Sequence, residues 1–173
     1  DDTKKTIDVN RNSTYTGRII SAWSEDTTKT IDLTLENLIL KGGCMNNGDG
    51  GALVISAGKL TVDNCEFIGN SSTNSGGAIN IGDKLSSGSE IKNTKFDQNT
   101  CIGTNLSQYG NGGAIYTKRS LTFTNCVFTD NGAKGNVTDS GRGGAIYCIG
   151  NSSNSPELII NGSEFIHNYS SKD

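Results

Sequence analysis

An all-β fold, a parallel β-helix of about five coils, is what this chain predicts, on three observations. The tetrapeptide Gly-Gly-Ala-(Ile/Leu) occurs four times, at Gly50-Gly51-Ala52-Leu53, Gly76-Gly77-Ala78-Ile79, Gly112-Gly113-Ala114-Ile115 and Gly143-Gly144-Ala145-Ile146. Each copy is followed by Phe-x-x-Asn, at Phe67 and Asn70, Phe96 and Asn99, Phe128 and Asn131, and Phe165 and Asn168. Between the motifs the apolar residues alternate with a period of two, Ile79 and Ile81 against Ala78 and Asn80, and Leu60 and Val62 against Thr61 and Asp63. That is the period of a strand and not of a helix. With Leu40 standing where a first Phe belongs, successive Phe positions fall 27, 29, 32 and 37 residues apart. Repeats of this length mark solenoids or arrays, in which each unit buries its apolar face only against its neighbours.

Taken in order, residues 1–32 fit the repeat poorly and are expected to form an irregular N-terminal coil or cap from Ile7, Val9, Tyr15, Ile19, Ile20 and Trp23, with Trp23 as a core or edge cover. Residues 33–168 are the repeats, all within one solenoid segment spanning 1–173. The first repeat is degenerate, Leu33-Thr-Leu-Glu-Asn-Leu-Ile-Leu40, with Gly43 in place of the motif Asn. Each repeat offers three short strands: a Gly-Gly-Ala-Ile strand, a Leu-Thr-Val strand ending at Asn, and a strand carrying Phe. From Val62 through Asn64 to Cys65 and Phe67 the apolar parity switches, which requires a corner at the Asn-Cys step. Paired glycines let the chain turn into a strand, because at least one can take a positive φ without a Cβ clash. Phe67, Phe96, Phe128 and Phe165 are then expected to stack inside, with Leu40 continuing the column. Asn37, Asn64, Asn93 and Asn125 would line one corner and hydrogen-bond along the axis, a ladder that Gly162 should end.

Composition fits a narrow core: 173 residues, 32% hydrophobic, with 23 glycines. A net charge of −3 without a basic run argues against nucleic acid or an anionic membrane surface as partner. No apolar run has the length of a transmembrane helix, and the chain opens at Asp1 without a signal peptide, so a secreted source would be represented here by a mature or excised piece. Five cysteines, Cys44, Cys65, Cys101, Cys126 and Cys148, form no C-x-x-C pair, and His167 is the only histidine. Neither a metal site nor a cofactor is expected. Cys65 and Cys126 share a repeat position but lie two layers apart, beyond disulfide reach, so free buried thiols are expected.

Parallel β-helices also host polysaccharide-active enzymes, which need carboxylates converging from adjacent coils. The columns here are Glu66, Lys95, Val127, Glu164 and Asp63, Lys92, Thr124, Asn161, in which no two acids adjoin, while Asp97 and Asp130 fall one position out of register. Gly48-Asp49-Gly50-Gly51 suggests calcium, but the repeated calcium-binding nonapeptide is absent. An enzyme is not expected.

The alternating Gly-Gly-Ala-(Ile/Leu) and Phe-x-x-Asn tetrapeptides, over about residues 33–168, resemble those of the chlamydial polymorphic membrane proteins and related repeat proteins. The resemblance implies a right-handed parallel β-helix forming the surface-exposed passenger of an autotransporter, anchored in the outer membrane through its parent chain and adhering to host cells. In that family the two tetrapeptides are themselves associated with adhesion; the residue types read them chiefly as scaffold, since buried Phe and turn-forming Gly cannot readily touch a receptor. The partner implied is a host-cell surface protein or glycan, and open sheet edges leave end-to-end self-association available. Binding would fall on exposed strand positions and on three insertions, Thr100 to Asn111, Gly132 to Arg142 and Ile149 to Pro156, where Tyr109, Tyr116, Lys118, Arg119, Arg142 and Tyr147 are the side chains suited to a partner. A structural spacer that holds a distal tip away from the cell is the other reading.

Overall fold

The computed structural model describes residues 3–8, 16–24, 26, 28–105, 107–136, 138 and 140–172, and every regular element among them is a strand. The strands stack into four parallel ladders, one per side of a four-sided coil. The Gly-Gly-Ala ladder runs through Ile20–Ala22, Leu53–Gly58, Ile79–Leu85, Ile115–Thr117 and Ile146–Cys148. The next side is Leu33–Glu36, Leu60–Asp63, Glu90–Lys92, Leu121–Thr124 and Leu158–Asn161. The Phe ladder has six rungs, Lys5–Asp8, Leu38–Lys41, Glu66–Ile68, Lys95–Asp97, Val127–Thr129 and Glu164–Ile166.

The fourth ladder corrects the three-sided coil expected from the sequence. It consists of Cys44–Met45, Ser71–Ser72, Thr100–Ile102, Gly132–Gly135 and Tyr169–Lys172. These strands are short, and their inward residues are Ser72, Cys101 and Ala133, so they carry no apolar alternation by which to be read. Two of the expected insertions are shorter in consequence, because Thr100–Ile102 and Gly132–Gly135 are rungs and not loop.

Register explains the core. Leu40, Phe67, Phe96, Phe128 and Phe165 are paired in sequence up the Phe ladder. Leu40 and the first three phenylalanines are fully buried. Their rings lie 4.9, 4.8 and 4.7 Å apart and within 6° of parallel, which is the strand spacing itself. Such stacks contribute about 0.5–1.5 kcal/mol each beyond burial. Phe165 keeps one face on Phe128 and turns the other to solvent, at 45% exposed, because it is the last rung. Ile7 is the rung below Leu40, and Ile19 and Ile20 pack on the core from the Gly-Gly-Ala side. Val9 and Tyr15 lie outside the described residues.

Two asparagine columns hold the corners. On the outside, Asn37, Asn64, Asn93 and Asn125 all take φ between 49° and 57°, the left-handed conformation that Asn tolerates best among residues with a Cβ. Asn64 Nδ2 donates to Asn37 Oδ1 at 2.8 Å and Asn125 Nδ2 to Asn93 Oδ1 at 3.4 Å, but Asn93 Nδ2 turns aside to Asp63 Oδ1 at 2.8 Å. The amide ladder is therefore broken in the middle as well as at Gly162, which keeps the backbone geometry at φ 54° without a side chain.

The second column is inside, at the motif asparagines. Asn70, Asn99 and Asn131 are fully buried. Asn99 Nδ2 donates to Phe67 O of the coil below at 2.9 Å and to Asn131 Oδ1 of the coil above at 2.9 Å. Its Oδ1 accepts from both the backbone N–H and Nδ2 of Asn70, each at 3.0 Å. All four hydrogen-bonding positions of the amide are filled, and Asn131 repeats the pattern toward Phe96 O, Asn168 Oδ1 and Asn99. In the first coil Gly43 replaces Asn and offers only its N–H, to Asn70 Oδ1 at 2.9 Å.

The two motif glycines have separate reasons. Gly76 turns at φ 70°, whereas Gly77 has ordinary φ but no room: a Cβ there would sit 2.0 Å from the carbonyl oxygen of Gly113 in the next coil. The second glycine is the point of closest approach between coils.

Asn99→Ala should destabilise the fold by about 3 kcal/mol or more, since it strips partners from buried groups in three coils, whereas Asn93→Gly should cost less than about 1 kcal/mol. Both are measured by denaturant unfolding. Gly77→Ala should cost about 3 kcal/mol by overpacking against backbone, while Gly69→Asn, at φ 58° with open space around it, should stay within about 0.5 kcal/mol of the parent.

Candidate partner-binding surface

Because Ile and Phe point to the axis, alternate residues of each strand point outward in columns of their own. On the Gly-Gly-Ala ladder the outward column is Ser21, Val54, Asn80, Tyr116 and Tyr147, in register. Tyr116 and Tyr147 lie back to back with Ile115 and Ile146 and touch each other, ring centroids 5.6 Å apart and tilted by 42°. Arg142 Nη1 donates to the Tyr147 hydroxyl at 3.4 Å. Burial, with Tyr147 and Asp49 nearby, pushes the Tyr116 phenol up to about 12, so it stays a neutral donor through the physiological range.

The remaining candidate contacts are scattered. Lys118 is exposed and adds a favourable charge to the field at Asp49. Its carbonyl accepts from Asn154 Nδ2 of the 149–156 segment at 2.5 Å. Arg119 is half-buried and spends its Nε on Leu85 O at 3.2 Å, a bond to its own scaffold. Tyr109, 51% exposed, stands on the 103–111 loop, whose neighbour above is tied to it through Gly141 N–H and Tyr109 O at 2.8 Å. Of the six residues, the fold brings together Tyr116, Tyr147 and Arg142.

Trp23 departs from its expected place. It is 65% exposed and covers neither core nor edge. It stands at the rim of a groove of about 240 Å³ lined also by Asp26, Lys29, Asp49, Val54, Ser56, Asn80, Asp83 and Lys84. One wall of the groove is the strand Ile79–Leu85, which slips register between Ile81 and Lys84, a bulge that no residue pattern announced.

Several acidic groups elsewhere are paired with cations. Glu36 lies beside Asp63 in register, so two acids do adjoin once the degenerate first coil is aligned, a correction to the column reading. Lys92 approaches Asp63 at 3.7 Å and Lys4 bonds Glu66 at 2.6 Å in the same shallow cleft. Asp97 is held by Lys95 at 2.8 Å, and Asp130 faces the exposed His167 at 3.7 Å. Asp49 accepts from Asn74 Nδ2 at 2.9 Å, while Arg18 donates to the Asp49 carbonyl at 2.7 Å. Burial raises the Asp49 carboxyl above its usual range against these opposing contacts. Among the described residues no three His, Cys, Asp or Glu side chains gather as metal ligands.

A solenoid with an aromatic core, buried amide ladders and an outward column of polar and aromatic side chains defines a class: a β-helical repeat protein. The model of the Chlamydia polymorphic membrane protein repeat matches residues 64–82, 93–118 and 125–149. Each match begins at an outer corner Asn and ends within or just beyond a Gly-Gly-Ala strand, three sides of one coil. These three matches support a polymorphic-membrane-protein-like repeat protein. No curated protein and no solved structure matches it. No helix among the described residues is long and apolar enough to cross a membrane.

The thiols are part of the scaffold. Cys65 and Cys126 follow the corner asparagines and donate back to the carbonyls of Asp63 at 3.2 Å and Thr124 at 3.5 Å, the role that the Thr94 hydroxyl plays toward Lys92 O at 2.7 Å. Cys101 meets the Ser72 hydroxyl at 3.2 Å, and its burial pushes the thiol up to about 12. All five cysteines are free, and Cys148 alone is not fully buried. A thiol reagent at pH 8 should therefore modify Cys148 first and the other four only on unfolding, which mass spectrometry of the labelled peptides reads directly.

Proposed function

We propose that this chain is a non-catalytic adhesive segment of a chlamydial surface protein, the passenger of an autotransporter that binds host cells. The observation that supports it is the division of the repeat: conserved geometry consumes the glycines, Ile, Phe and inner Asn, and leaves chemically varied side chains on one outward face and at one line of loops. A rigid solenoid that spends its repeated residues on itself is free to vary its exterior, which is how such scaffolds carry binding surfaces. In this reading Tyr116, Tyr147 and Arg142 form one contact patch, and Tyr109 and Lys118 flank it. The Gly-Gly-Ala and Phe-x-x-Asn residues act by holding that surface in register.

A spacer role is favoured by a different observation: four parallel ladders stack in register along one axis, each coil adding about 4.8 Å to the length.

The purified segment should bind cultured epithelial cells saturably, and trimming residues 104–109 should lower binding at least fivefold with an unchanged circular dichroism spectrum. Absence of binding by the intact segment would leave the spacer.

A further inference from the structure

We infer that the groove between Trp23 and Asn80 is a binding site for a neutral glycan, a reading that rests on the adhesive role above and assigns it a ligand. Asn80 lines the groove at 9% exposed, and its amide reaches solvent there. The fully buried motif asparagines spend their amides on the ladders, whereas the Asn80 amide faces the groove and can bond to what fills it. One donor pair and one acceptor at the bottom of a small concavity are suited to the vicinal hydroxyls of a sugar ring.

Trp23 supplies the complementary part. Its indole stands over the same concavity at 65% exposure, a rigid apolar plate beside polar groups, and a pyranose ring has an apolar C–H face and a polar edge to match. The register slip between Ile81 and Lys84 leaves Gly82 and Asp83 without ladder partners before Lys84 pairs again with Ala57, and Asp83 and Lys84 add an acceptor and a donor to the lining that includes the indole. Along the axis the floor continues from Asn80 to Tyr116 and Tyr147 at one rung per coil, so that a short oligosaccharide lying parallel to the solenoid would meet a new polar or aromatic side chain at each unit.

Charge and size select the occupant. The lining carries three carboxylates, Asp26, Asp49 and Asp83, against two ammonium groups, Lys29 and Lys84, which disfavours sulfated or sialylated chains. A volume of about 240 Å³ is at the scale of a sugar ring or two, at the small end of ligand pockets.

The intact segment is tested on an array of neutral oligosaccharides ending in galactose, N-acetylglucosamine or mannose, beside sulfated glycosaminoglycan fragments. Retained neutral glycans are titrated in solution. Because Trp23 is the only tryptophan in the chain, its fluorescence reports occupancy of this groove and no other. The expected result is binding of at least one neutral glycan with a saturable change in that fluorescence. Trp23→Ala and Asn80→Val should each weaken binding at least tenfold, with the unfolding midpoint unchanged, and Glu157→Ala, at an exposed position away from the groove, should leave it intact. Binding confined to sulfated chains, neutral binding that survives Trp23→Ala, or an array with no neutral ligand overturns the assignment. If the segment then still binds cells through a protein receptor, adhesion stands without the groove. If neutral glycans bind but cells do not, the groove stands and adhesion fails.

Discussion

Parallel strands in register repeat every side chain at about 4.8 Å, and the whole structure answers to that one spacing. A residue placed inside must be able to stack on its own kind at that distance, and few can. Phenylalanine does so by laying ring on ring, which is why the Phe column stays parallel to within a few degrees. Asparagine does so by handing one N–H down to a carbonyl and one up to the next amide while its oxygen takes two bonds from the coil below. A serine or glutamine could not fill the same four positions at the same height, one for want of groups and the other for excess of length. Glycine is demanded where two backbones approach within a Cβ radius of each other, as between Gly77 and Gly113.

The same constraint makes the exterior permissive. Outward columns do not have to fill a closed core, so the rule of self-stacking is relaxed, and Val54, Asn80, Tyr116 and Tyr147 can follow one another. Recognition is then assembled across coils rather than within a loop, and its precision comes from the rigidity of the ladders beneath. The register slip at Ile81/Lys84 sharpens this, for it breaks the outer regularity over one coil while Ile79, Ile81 and Leu85 remain buried. Irregularity is confined to the side where it costs least and can be used.

The solenoid was legible because its inward residues are repeated: four Gly-Gly-Ala motifs, four Phe-x-x-Asn motifs and the parity switch at Asn64-Cys65 suffice for parallel strands, corners and a buried Phe column. The fourth ladder was not, since Ser71–Ser72 and Gly132–Gly135 lack any alternation and are strands only because the Asn70 and Asn131 corners deliver them to either side of Thr100–Ile102. The Tyr116 and Tyr147 pair could be read from alignment alone, and so could the neighbourhood of Asn80 in the same column. Trp23 could not, because it lies outside the repeat and takes its place from a single strand, Ile20–Ala22, whose register is set by Leu53–Gly58.

By itself, then, the sequence determined the kind of chain this is: a polymorphic-membrane-protein-like β-solenoid whose repeated residues face its axis, for a one-dimensional lattice imposes its period on the residues that build it. Only the tertiary structure decided which asparagines are buried and which exposed, that acids Glu36 and Asp63 adjoin, and that a tryptophan from the first coil and an amide from the third share a groove. These depend on corner direction, register slips and the path of an irregular terminus, each a contact between residues far apart in the chain, and a local pattern carries no record of them.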